Sequence, residues 1–143
     1  METIEFKEHR LSGYCLYLKS IISNVKKGGT LYLLTNRKRI ELRTQSQHKV
    51  LLDEITKLAQ EKYNIEEKNK YKELEDKIKI YSKVLKVAPR RMLNLGSTVA
   101  RYYGLTNDCT VVLEKLSDCI RIWHPDTFNL YYDNLANNGK RRK

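Results

Sequence analysis

The side chains with the clearest chemistry in this 143-residue chain are cations grouped at turn-like positions. Lys26-Lys27-Gly28-Gly29 and Arg37-Lys38-Arg39 form two basic loops, Arg10 precedes a third, and Arg90-Arg91 follow Pro89 in a fourth. An ammonium meets phosphate as a point charge, whereas a guanidinium fork can hold phosphate or the edge of guanine with two parallel bonds. Arg10, Lys26, Lys27, Arg37, Lys38, Arg39, Arg90 and Arg91 are therefore the candidate DNA-binding residues. Arg90 and Arg91 are the candidates for reading bases, and the others for steering along the backbone. The plain alternative for each is a solvated turn. No G-x-x-x-x-G-K-[ST] frame surrounds the glycines, so a P-loop is excluded.

The distribution of charge supports a polyanion partner. Lys and Arg number 28 against 17 Asp and Glu, a formal +11. Residues 1–53 carry +5 and the last five carry +4, while 54–83 and 84–138 carry +1 each. General lysine enrichment would have spread this excess evenly. A solvated basic end remains the alternative for Gly139-Lys140-Arg141-Arg142-Lys143.

Catalytic chemistry finds little to use. His9, His48 and His124 are scattered without an H-E-x-x-H frame, and Cys119 with His124 falls short of a four-ligand zinc set. Acidic pairs such as Glu66-Glu67 and Glu75-Asp76 lie in a Lys-rich stretch, where a solvated helix face explains them. No enzyme activity, metal, cofactor or small-molecule substrate is expected. Ten tyrosines raise the prospect of base stacking, yet Tyr102-Tyr103 and Tyr131-Tyr132 stand at helix-like positions where packing is the commoner use. Trp123 reads as a core or interface residue.

The length fits about one domain, and 41% apolar content is enough for a core. No window approaches the ~20 apolar residues needed to span a bilayer, and the first residues lack a secretory layout. Three cysteines without CxxC spacing fit free thiols in a reducing compartment, so a cytoplasmic protein is expected.

The elements that must carry the cations repeat. At an offset of 80, Thr30-Leu31-Tyr32-Leu33-Leu34 lies over Thr110-Val111-Val112-Leu113-Glu114, and Ile40-Glu41-Leu42 over Ile120-Arg121-Ile122. At 77, Leu16, Leu18, Ser20 and Ile22 lie over Leu93, Leu95, Ser97 and Val99, the difference being a longer loop between Val99 and Thr110. Each copy reads as a short strand, a hairpin, then a helix, the first behind Thr44 or Ser46 as N-cap and the second behind Pro125. Tyr63 to Lys83 reads as a bridging amphipathic helix, although 77–81 could begin a strand, with Val84-Leu85-Lys86-Val87 a surer one. The expected organisation is a first repeat over 1–62, a bridge over 63–83, a second repeat over 84–138 and a basic tail over 139–143.

Two such units resemble the MraZ family, whose tandem halves belong to the AbrB-like class. Tyr102-Tyr103-Gly104-Leu105 is similar to that family's Tyr-Ala-Gly-Leu, and Ile120-Arg121-Ile122-Trp123 to its Ile-Glu-Ile-Trp. The family's Asp-x-x-x-Arg is replaced in both halves: Cys15 and Met92 stand where Arg would, and Leu11 or Ser12, and Ala88, where Asp would. The resemblance implies a mainly β fold with helices (α+β), built from two AbrB-like swapped-hairpin or double-psi-type halves. It further implies a nucleoid-associated DNA-binding transcriptional regulator that assembles as a homo-oligomer, such as a ring. The alternative is an oligomeric scaffold or interaction protein of the same fold that has lost sequence-specific DNA binding.

Overall fold

The computed structural model describes residues 5–18, 29–87 and 92–141, with side chains over 6–18, 29–87 and 92–133. In chain order the elements are β1 (Glu5–Arg10), β2 (Cys15–Tyr17), β3 (Thr30–Thr35), β4 (Ile40–Thr44), α1 (Gln45–Glu61), α2 (Ile65–Tyr81), β5 (Ser82–Lys86), β6 (Met92–Asn94), α3 (Ser97–Tyr102), β7 (Thr110–Lys115), β8 (Ile120–Trp123) and α4 (Pro125–Arg141). The fold is α+β. An antiparallel six-stranded sheet runs β1-β7-β8-β4-β3-β5, and β2 pairs with β6 separately.

Local chemistry accounts for the element ends. Thr44 Oγ1 accepts from the Gln47 backbone N–H at 3.2 Å while Gln47 Oε1 accepts from the Thr44 N–H at 3.0 Å, a reciprocal box that starts α1. Asn64 caps α2 by accepting from the Glu66 N–H at 2.8 Å. Acidic Glu66 and Glu67 fill its first turn and Lys79 its last, matching the helix dipole. α2 stays helical through Tyr81 and gives way to β5 at Ser82. Among the described residues, no helix is long and apolar enough to cross a membrane.

The sheet is built from exchanged parts. β1 precedes the first hairpin but pairs with β7 of the second, and β5 precedes the second hairpin but pairs with β3 of the first. Beyond these ladders, the Leu11 N–H donates to the Cys109 carbonyl and the Val87 N–H to the Gly29 carbonyl, both at 2.9 Å. Leu16 faces Leu93 across β2–β6, and Glu41 faces Arg121 across β4–β8. Each is its partner's counterpart at the repeat offset, so a pseudo-two-fold axis passes between both pairs.

Alternation gives the sheet two different faces. One presents Leu31, Leu33, Ile40, Leu42, Val111, Leu113, Ile120 and Ile122 to a core completed by β2, β6 and α3. The other carries Tyr32, Glu41, Arg43, Glu114, Arg121 and Trp123 beneath the helices, where Tyr32 stacks on His48 of α1 and Trp123 packs against Phe128 of α4. α2 folds back on α1 and reaches β3.

Two elements depart from the sequence reading. β1, in a stretch where no strand was expected, alternates Glu, Lys and His with little apolar content, and its ladder comes from the apolar β7. Charges suit an exposed edge. α3 runs from Ser97, ahead of the expected loop between Val99 and Thr110, to Tyr102, which read as helix-like, and is held by the buried Val99, Ala100 and Leu105.

Candidate nucleic-acid interface

The first hairpin turn is shaped by Asn36. Its Oδ1 accepts from the Lys38 N–H at 2.9 Å and the Arg39 N–H at 3.2 Å, and its own N–H donates to the Arg39 carbonyl at 3.1 Å. This leaves Arg37 and Lys38 at the tip, both exposed. The Lys38 Nζ stands 5.8 Å from the centre of the Tyr131 ring of α4. The second hairpin turns the same way, with the Leu116 N–H donating to the Cys119 carbonyl, but its tip is Ser117-Asp118. The charge at the two turns is therefore opposite.

Sheet register brings Arg10 to the end that bears the basic turn. Arg10 is opposite Thr110, Val112 opposite Trp123, Ile122 opposite Ile40, and Ile40 opposite Thr35. Arg10 is exposed, with its Nε donating to the Asp108 carbonyl at 3.2 Å. Asp108 has a φ of 59° and is held by the Gly13 N–H, which donates to its Oδ1 at 2.6 Å. Gly13, itself at φ 61°, closes the loop by accepting from the Asp108 N–H.

The same end collects Arg101, which sequence reasoning did not single out, with Tyr102 and Tyr103, which read as packing residues, and His124. The Tyr103 hydroxyl donates to the Asn36 carbonyl, tying α3 to the basic turn. Burial pushes this phenol up to about 12, so it remains a donor at neutral pH. Arg101 and Tyr102, on the last turn of α3, are exposed; Tyr102 is 68% accessible, and its ring meets that of Tyr103 edge to face at 4.9 Å between centroids. His124 lies near Gly104, and its Nδ1 accepts from the Asp126 N–H at 3.1 Å, opening α4. No pattern in the sequence marks Arg101, whose position follows from the tertiary link through Tyr103.

Arg39 belongs elsewhere. Its Nε is 3.2 Å from Glu41 Oε2, its guanidinium lies 5.1 Å from the centre of the Trp123 ring, and its side chain is mostly buried. Arg39 is thus separated from the exposed tip of its own turn. Lys26, Lys27, Arg90 and Arg91 lie outside the described residues, as do the side chains of the basic tail, where α4 continues to Arg141.

Beneath the helices runs a charged network that the sequence did not disclose. Arg43 Nη2 lies 2.9 Å from Glu41 Oε1 and Arg121 Nη1 3.2 Å from Glu114 Oε1. Glu114, 1% exposed, also accepts from the Trp123 Nε1–H at 3.2 Å and from the Tyr132 hydroxyl. Its carboxylate therefore joins β7, β8 and α4. Among the described residues no three His, Cys, Asp or Glu side chains gather in a way that could hold a metal ion.

No protein-family model and no curated protein match the chain.

Proposed function

We propose that the protein is a duplex-DNA-binding transcriptional regulator, as the resemblance to the MraZ family implies, and that the basic end of the sheet is its phosphate-binding surface. The observation that carries the reading is the asymmetry of the two hairpin tips. Arg37 and Lys38 stand at the end that also holds Arg10 and Arg101, whereas the pseudo-symmetric tip is Ser117-Asp118. Equivalent turns of the repeated backbone thus carry opposite charge, which gives a polyanion a preferred side of approach. Lys26, Lys27, Arg90, Arg91 and the tail would add to the phosphate grip, and self-assembly into a homo-oligomer would multiply it.

Titration of labelled duplex into the purified protein at low salt tests this. Saturable binding that unlabelled duplex displaces better than single-stranded oligonucleotide supports it; absence of binding overturns it. The Arg39 pairing with Glu41 favours a second reading, an oligomeric scaffold that no longer reads DNA. An oligomer by light scattering that ignores duplex would decide for the scaffold.

A further inference from the structure

The repeat exposes a difference between the halves on the helix side of the sheet. In the second half Phe6, Trp123, Phe128, Tyr131 and Tyr132 form a continuous aromatic cluster, with centroid distances of 4.6 to 5.9 Å. At the repeat offset, Trp123, Phe128, Tyr131 and Tyr132 answer to Arg43, His48, Leu51 and Leu52, and the register of the two edge strands gives Ser82 as the counterpart of Phe6. Every counterpart is smaller, and four of the five carry no ring. Where rings fill the second half, the first keeps a cavity of about 520 Å³ bounded by the sheet, α1 and α2.

Leu34, Leu51, Ile55, Leu58, Leu74 and Ile78 give this cavity an apolar wall. The charged groups on its sheet side are already answered. Glu41 Oε1 holds Arg43 Nη2 at 2.9 Å, while Oε2 accepts from Arg39 Nε at 3.2 Å and from Asn36 Nδ2 at 3.3 Å. The Arg43 nitrogen without a partner, Nη1, is itself buried, so it is not offered to a molecule in the cavity. Glu54 of α1 and Lys77 of α2 also border the space; both are exposed to water and they are opposite in sign. An ionised group brought in here would lose its water and gain no partner, which is unfavourable. The volume falls within the ~300–1,000 Å³ of small-molecule sites, and an apolar wall whose charges are paired or hydrated selects an uncharged occupant. The exchange of rings for smaller side chains between the halves points to an aromatic one, because rings are what this fold packs between helix and sheet in the other half.

We propose that this cavity binds a small uncharged aromatic molecule, whose rings do between α1 and the sheet what those of Phe128, Tyr131 and Tyr132 do between α4 and the sheet. The proposal does not rest on the DNA reading, and its failure leaves that reading standing.

Fluorescence titration with phenylnaphthylamine, an uncharged two-ring-system probe that brightens in apolar surroundings, tests the site. Saturable binding at one per chain is expected. Biphenylmethanol should displace the probe, and biphenyl carboxylate, the same body with an anionic head, should do so at least tenfold less effectively. Leu51→Tyr, which copies Tyr131 of the second half into the wall, is expected to weaken the probe at least tenfold with an unchanged circular dichroism spectrum. Leu74→Trp, placing an indole at a wall position that is 44% exposed, is expected to do the same from the α2 side. Absence of saturable binding, equal displacement by the carboxylate, or parent affinity in both wall variants would overturn the proposal. Should Leu51→Tyr fail to fold, the pair of competitors and Leu74→Trp still decide.

Discussion

Leu16 faces Leu93 across the β2–β6 pair, and each is the other's counterpart at the repeat offset of 77; both are fully buried. The centre of the core is thus one residue type meeting itself about the pseudo-two-fold axis. Leu16→Ala leaves a void where both halves converge, and Leu→Ala at such sites costs about 2–5 kcal/mol. Urea unfolding of Leu16→Ala and Leu93→Ala should each show a loss in that range. The double variant should depart from additivity, because the two truncations open one shared cavity.

Glu114 should be the most sensitive polar position. Its carboxylate is 1% exposed and answers Arg121, Trp123 and Tyr132 together. Burial and the Glu114 carboxylate raise the Tyr132 phenol, keeping it a donor. Removing one partner of a buried ion pair costs about 3–5 kcal/mol because the other charge is stranded. Glu114→Ala should lose stability on that scale in chemical denaturation. Glu114→Gln should also be destabilised, since it removes the charge that faces Arg121.

Stability should fall as pH drops through the histidine range. Burial, helped by Arg43, lowers the His48 pKa, and burial, helped by Lys7, lowers that of His9. The unfolded chain, with the ordinary value near 6.5, then binds protons that the folded chain refuses, so stability is complete above about 6.5 and declines as pH falls below it. His48→Phe reproduces the Phe128 found at the equivalent position of the second half and keeps a ring to stack on Tyr32. Its thermal midpoint should vary less between pH 7 and 5 than that of the parent.

Cys119 should resist alkylation while folded. The thiol is 1% exposed, and burial pushes it up to about 11, so thiolate is scarce near neutrality. The half-buried Cys15 and Cys109 should react with iodoacetamide before it. Peptide mass analysis should find Cys119 modified only after unfolding in urea; labelling of Cys119 at the rate of the other two would refute this.

Much of the architecture is legible in the chain because apolar alternation and helix spacing are repeated. Thr30–Leu34 and Thr110–Glu114 coincide with β3 and β7, and Thr44 with the cap of α1. β1 escaped because its strand character comes from its neighbour: Glu5 to Arg10 alternate without a clear apolar face, and pairing with β7 supplies what propensity does not. α3 showed only in the helix-like placing of Tyr102-Tyr103, because a six-residue helix has too few turns to show a period. The basic turn was visible as Arg37-Lys38-Arg39, but its division into an exposed tip and a buried ion pair depends on Glu41 and Trp123. The charged network and the cavity at Arg43 depend wholly on how the halves join, which one strand's pattern does not encode.

The salt dependence of duplex binding tests the central claim most directly. For the parent, the logarithm of the association constant should fall linearly with the logarithm of salt, at about −0.9 per phosphate neutralised. Arg37→Ala, Lys38→Ala and Arg101→Ala combined should weaken binding and flatten that slope by about 0.9 for each phosphate no longer neutralised, while Arg39→Ala should leave the slope unchanged. A parent that binds with no salt dependence, or a combined variant whose slope matches the parent's, would contradict the assignment of this end of the sheet to DNA.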